Sequence, residues 1–176
     1  VPAVQLGKEV PESPAGFLER CRESLSDDRL ERLAEVALTP GDGPGCCDAH
    51  RRWIAWETFL RNALARHRAD RLGRHPEQYI RAEPDVHPSD EREIEGALAS
   101  SSPELRERAL DRLRWAKLDE FQVYHPFDFD ALVIYLLRLK LAERWGAVDV
   151  DAGLARVDEQ VEAVIEKAVE KRGGRE

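Results

Sequence analysis

Apolar residues recur along most of this chain at spacings of three and four, the period of helices with one buried face. Over 48–73, Ala49, Trp53, Trp56, Leu60, Leu64 and His67 share one face, and Glu57 and Arg61 pair four apart on the strip beside it. Gly73 suits the end of that helix. Two shorter helices precede it. The first covers 16–24. The second follows the cap Ser26, with Asp27 and Asp28 in its first turn and Leu30, Leu33, Ala34 and Ala37 as its stripe. Between the second and third helices, TPGDGPGCC (39–47) reads as a loop with freedom to move.

A proline-bounded connection over 75–88 holds at most one turn, around Tyr79 and Ile80. Ser89 then caps a short helix carrying Ile94, Ala97 and Leu98. Ser101 and Glu104 fit a capping box with Pro103 in the first turn of the next helix, which runs to about residue 122. Its inward stripe reads as Leu105, Ala109, Leu113 and Ala116, with Trp115 and Leu118 beside it. Asp128 caps a helix over 131–145, and Leu132, Val133, Leu136, Leu137, Leu139 and Leu141 cover more than one stripe of it, so it should be the central one. A last helix reaches about residue 171, with Leu154, Val157, Val161, Val164 and Ala168 on one face, and 172–176 should fray. No segment alternates as a strand. The expectation is one compact all-α domain over 1–176, with six or seven helices and no sheet.

Composition narrows the functions open to it. A net charge of −8 and a pI near 5.3 repel a phosphate backbone, which argues against a nucleic-acid partner. Three cysteines, Cys21, Cys46 and Cys47, do not make a disulfide framework and point to a reducing compartment. No apolar run approaches the roughly 20 residues of a membrane span, so direct membrane insertion is not expected. The chain opens at Val1 and contains no Met, so residues are expected to precede it.

Neither a GxGxxG nor a GxxxxGK[ST] phosphate cradle occurs. Cys46, Cys47 and His50 are the nearest approach to a metal or nucleophile constellation, but vicinal cysteines poorly supply two tetrahedral positions, and no second cysteine pair or HExxH accompanies them. Cys21 reads as a small buried hydrophobe. Asp128 and Asp130 form a carboxylate pair whose simplest use is capping, and His125 shapes the turn before Pro126. The arginines 61, 66, 68, 71 and 74 wrap round their helix as a solvated surface. No catalytic, cofactor or metal residue is assigned on these grounds.

Three stretches carry a resemblance: WIAWETFLRNALARHRADRLG (53–73), LRWAKLDEF (113–121) and HPFDFDALVIYLLRLKLAERW (125–145). With the opening VPAVQLGKEVP, they resemble a bacterial family of unknown function whose genes tend to lie among those of the V/A-type rotary ATPase. That family is similar in layout to the helical C (or d) subunit, a non-catalytic coupler between stalk and rotor ring, although this chain is much shorter. The resemblance implies a non-catalytic accessory or stalk-region component of a proton- or sodium-translocating ATPase. It would be cytoplasmic, peripheral to the inner membrane, and bound to other protein subunits. Candidate partner contacts are Glu57, Arg61 and Asn62, the helix end Glu143, Arg144 and Trp145, and the face carrying Leu154, Val157 and Val161. The competing expectation is a free-standing helical adaptor unrelated to the ATPase. A third is a thiol- or metal-dependent enzyme built on Cys46, Cys47 and His50.

Overall fold

The structure, a computed structural model, describes residues 2–82 and 88–146. Among the described residues there are six helices and no strand: α1 (Pro14–Arg22), α2 (Asp27–Ala34), α3 (Asp48–Leu72), α4 (Pro88–Leu98), α5 (Pro103–Gln122) and α6 (Phe129–Gly146). The all-α expectation holds. The helix expected to carry Leu154, Val157 and Val161 lies outside the described residues, as does the 172–176 tail.

α6 is the axis of the fold. Val133, Ile134, Leu136, Leu137, Leu139 and Leu141 are all fully buried, because neighbours cover the helix on several sides. α1, α3 and α5 pack directly on it; α4 closes over α3 and α5, and α2 lies on α1. Each large side chain removed from water here contributes about 1.5–3 kcal/mol. The N-terminal segment is tied to the same axis. Glu12 accepts hydrogen bonds from Tyr135 Oη (2.8 Å) and Arg20 (2.6 Å), and the Phe17 and Tyr135 rings sit 4.8 Å apart.

The helix ends follow ordinary capping chemistry, sometimes one or two residues from where the sequence suggests it. α1 begins at Pro14, not residue 16, because Ser13 accepts from Gly16 N–H (3.0 Å) and proline fits the first turn. α4 likewise includes Pro88 ahead of Ser89. α5 is capped by Ser102, not Ser101: its hydroxyl accepts from Leu105 N–H at 3.3 Å. α6 is capped by Asp128, which accepts from Ala131 N–H at 3.0 Å. The N-cap of α3 is Cys47, whose side chain makes no cap; the carboxylate of Asp130 on α6 reaches across and accepts Ala49 N–H at 2.6 Å. Gly73 ends α3 in the left-handed region at φ 59°.

Two stripes are rotated from the expected ones. In and after α2, Leu33 and Val36 are buried while Ala34 and Ala37 are exposed, since the larger residues take the core-facing positions. In α5 the buried row is Leu110, Asp111, Arg114, Leu118 and Phe121, and Leu105 and Ala116 face solvent. The 39–47 loop is pinned at several points. Arg61 donates to Thr39 Oγ1 (3.0 Å), Arg81 to the Pro40 carbonyl (3.2 Å), and Cys46 N–H to His50 Nδ1 (3.1 Å).

Candidate functional site

The charged row of α5 meets α3 in the interior. Glu57 is fully buried, and Arg114 grips it with two parallel hydrogen bonds, Nε to Oε2 and Nη2 to Oε1, both 2.9 Å. The remaining terminal nitrogen, Nη1, donates to Asp111 Oδ1 at 2.8 Å. Two half-exposed arginines close the chain at its ends: Arg61 Nε on Glu57 Oε1 (3.0 Å), and Arg144 on Asp111. The order Arg61–Glu57–Arg114–Asp111–Arg144 thus crosses α3, α5 and α6. A buried carboxylate needs this density of donors, because an ion taken out of water without partners costs several kcal/mol.

These contacts decide where the expected partner residues lie. Glu57 and Asn62 are buried and bonded internally. Asn62 holds the backbone of residue 81 from both sides, donating to the Arg81 carbonyl (3.0 Å) and accepting from its N–H (3.1 Å). Arg61 is exposed but bound to Glu57 and Thr39. Glu143 and Arg144 are exposed at the end of α6, and half-buried Trp145 lies beneath the Arg108 guanidinium, 5.2 Å from the ring centre. On one side of Trp145 is an open cleft of about 500 Å³ that includes Lys8, Arg108 and Arg112; on the other is one of about 360 Å³ that includes Pro103, Glu107 and Asp111. Leu154, Val157 and Val161 lie outside the described residues.

Cys46, Cys47 and His50 do come together. Cys46 Sγ is 3.3 Å from His50 Nδ1, beside an open cleft of about 440 Å³ lined by Arg32, Glu35 and the 39–46 loop. The chemistry runs against a nucleophile. Burial pushes both thiols above their ordinary range, Cys47 most strongly, and burial lowers His50. His50 Nδ1 already accepts the Cys46 backbone N–H, so the ring works as a cap. An activated cysteine requires the opposite, a thiolate favoured by its surroundings. Cys21 is buried as expected, and burial raises its thiol too.

A surface feature that helical periodicity does not reveal lies at the α5–α6 turn. Val123, Tyr124 and Phe127 are 75%, 66% and 98% exposed, with Arg52 stacked 5.7 Å from the Tyr124 ring. The signal for it was the run QVYHPF, in which apolar residues continue past the end of α5 with no helix stripe to place them. No helix among the described residues is long and apolar enough to cross a membrane.

No curated protein and no solved structure gives a significant match to the chain. Residues 89–167, a little under half of the chain and including nearly all of α4 with the whole of α5 and α6, match the family model described as a protein of unknown function (DUF2764).

Proposed function

We propose that the protein is a non-catalytic accessory or stalk-region component of a V/A-type rotary ATPase, acting through contacts with other protein subunits. The observation that carries the protein-binding part is the exposed apolar group at the α5–α6 turn. Val123, Tyr124 and Phe127 are large side chains left in water within a five-residue stretch, beside a stacked arginine. Aromatic and arginine side chains dominate the energetics of interaction sites, so exposed ones set close together along the chain favour a contact surface here. The Trp145–Arg108 stack at the opposite end of α5 is a second contact of the same chemistry. The buried charges support a structural role for the interior, since Glu57, Asp111 and Arg114 are all engaged with one another. The ATPase assignment rests on the likeness of 53–73, 113–121 and 125–145 to the family encoded with the ATPase genes.

The test is isolation of the native complex. The tagged protein, expressed at its natural level and purified without detergent and then with mild detergent, should bring down ATPase stalk or rotor subunits in fixed ratio by mass spectrometry. Phe127→Ser should weaken that recovery while leaving the helical circular dichroism signal unchanged. Recovery as an isolated homo-oligomer, with no ATPase subunit in either preparation, would overturn the assignment in favour of the free-standing adaptor.

A further inference from the structure

The charges of α3 change character along the helix. Asp48 holds Arg51 and Arg52, Glu57 holds Arg61, and Arg66 is engaged as well. Past that point the pairing stops. Arg68, Arg71 and, just beyond Gly73, Arg74 are exposed, and among the described residues their side chains have no ion pair or hydrogen bond. At about 100° per residue, Leu64, Ala65, Arg68, Arg71 and Leu72 share one strip of the helix. Leu72, at its end, is 67% exposed, and Tyr79, in the connection that follows, is 54% exposed. The strip holds no carboxylate. Asp70 lies on the other side of the helix, in the α3–α4 groove with Glu91 and Glu95.

We infer that this end of α3 is a docking face for an acidic helical segment of a partner protein, with Arg68 and Arg71 pairing its carboxylates and Leu72 packing on its apolar stripe. Charge complementarity selects that partner. In a chain of net charge −8, a strip of unpaired arginines is the exception. The planar fork of arginine matches a carboxylate with two parallel hydrogen bonds, and a guanidinium is more weakly hydrated than an ammonium, so little is lost when it is covered. A nucleic acid or an anionic membrane extends past the strip and meets the repulsion of the surrounding acidic surface. A single acidic helix meets only the strip. Arg68 and Leu72 lie on successive turns, about 5.4 Å apart along the axis, which matches the turns of a helix laid alongside. The face is distinct from the exposed α5–α6 turn. Tyr124 of that turn stacks on Arg52 near the start of α3, and roughly 30 Å of helix separates Arg52 from Arg71. The inference stands whether or not the partner belongs to an ATPase.

The test uses the full chain and a fluorescein-labelled peptide of glutamate and leucine at heptad spacing, which forms an acidic amphipathic helix. Fluorescence anisotropy should show saturable binding that weakens as salt is raised. Arg68→Glu/Arg71→Glu should weaken it about tenfold or more, and Leu72→Ser several-fold. Leu105→Ser, a change at an equally exposed leucine on α5, should leave it as it was. A peptide with glutamine in place of every glutamate should not bind. Helical circular dichroism is measured for each variant, and Arg68→Gln/Arg71→Gln takes over if the charge reversal does not fold. The assay needs no ATPase subunit, so its failure is distinct from failure of the complex to be recovered. Absence of saturable binding, or equal affinity in the folded arginine variants, would overturn the docking face. So would displacement of the peptide by phosphatidylglycerol vesicles or a single-stranded oligonucleotide at lower concentration than unlabelled peptide. A lowered melting temperature in the arginine variants with peptide affinity unchanged would also do so, since that marks arginines serving only the helix end.

Discussion

Replacing Arg114 with Met is the sharpest test of what holds this protein together. Arg114 is 4% exposed and makes three charge-assisted hydrogen bonds, two to Glu57 and one to Asp111. Methionine approximates its length but offers no donor. In the variant Glu57 keeps only Arg61, whose side chain is 44% exposed, and Asp111 keeps only Arg144, at 40%. Three such bonds at about 1.5–3 kcal/mol each set an upper bound. The cost of burying the guanidinium, no longer incurred, brings the expected loss to about 3–5 kcal/mol. That is a large part of the roughly 5–15 kcal/mol available to a domain. At about 2–4 °C per kcal/mol for a chain of this size, the melting temperature should fall by roughly 6–20 °C. Urea unfolding followed at 222 nm, with matched m-values, gives the energy directly. The double variant Glu57→Leu/Arg114→Met should recover much of the loss, because the orphaned carboxylate is gone. A single-variant loss below about 1 kcal/mol would show that the pair is solvated in practice and that the interior is held by its apolar rows alone.

Other expectations follow from the same coordinates. Arg61→Ala, at the exposed end of the network, should cost no more than about 1 kcal/mol by the same unfolding assay. Gly45→Ala should destabilise by at least 1–2 kcal/mol or so, because φ is +80° and a Cβ would lie 3.0 Å from Arg51 N; thermal melting checks it. Cys46 and Cys47 have raised thiol pKa values, so the folded state holds their protons longer than the unfolded one. Stability should therefore fall as pH rises past about 9, and Cys47→Ser should flatten that fall in urea titrations at pH 8 and pH 10. Iodoacetamide should also label both slowly at pH 7. Phe127→Ser should change stability by less than about 0.5 kcal/mol, since the side chain is already in water.

The long elements were legible in the residues because their apolar positions outnumber the exceptions. α6 shows this best: apart from Arg138 and Lys140, Val133 to Leu141 is all aliphatic or aromatic, which suits a central position. α5 shows where such reading fails. Its core-facing row includes Asp111 and Arg114, so a stripe drawn through apolar residues alone turns toward Leu105 and Ala116, which face water. Glu57 was paired with Arg61 at helical spacing, and that bond exists, but its stronger partner lies 57 residues away. Pairing across such a distance depends on packing, which no local window contains. The same holds for His125 and Asp130. Each reads locally as turn or cap, and only the docking of α6 beside the start of α3 brings them to Asp48.

The clamp of Asn62 on residue 81 has a consequence for which changes the chain can absorb. One side-chain amide imitates a neighbouring strand, offering a donor and an acceptor to a single peptide unit. The connection leaving α3 is thereby moored midway, so 74–80 forms a closed span anchored at Gly73 and at Arg81. Residues added within it should bulge outward at small entropic cost and leave α4 where it is. Asp at 62 would keep the oxygen, lose the N–H, and set a negative charge against the Arg81 carbonyl. The exchange of one nitrogen for one oxygen would thus undo half of the clamp on residue 81 and leave that end of the span to the bond between the Arg81 side chain and the Pro40 carbonyl.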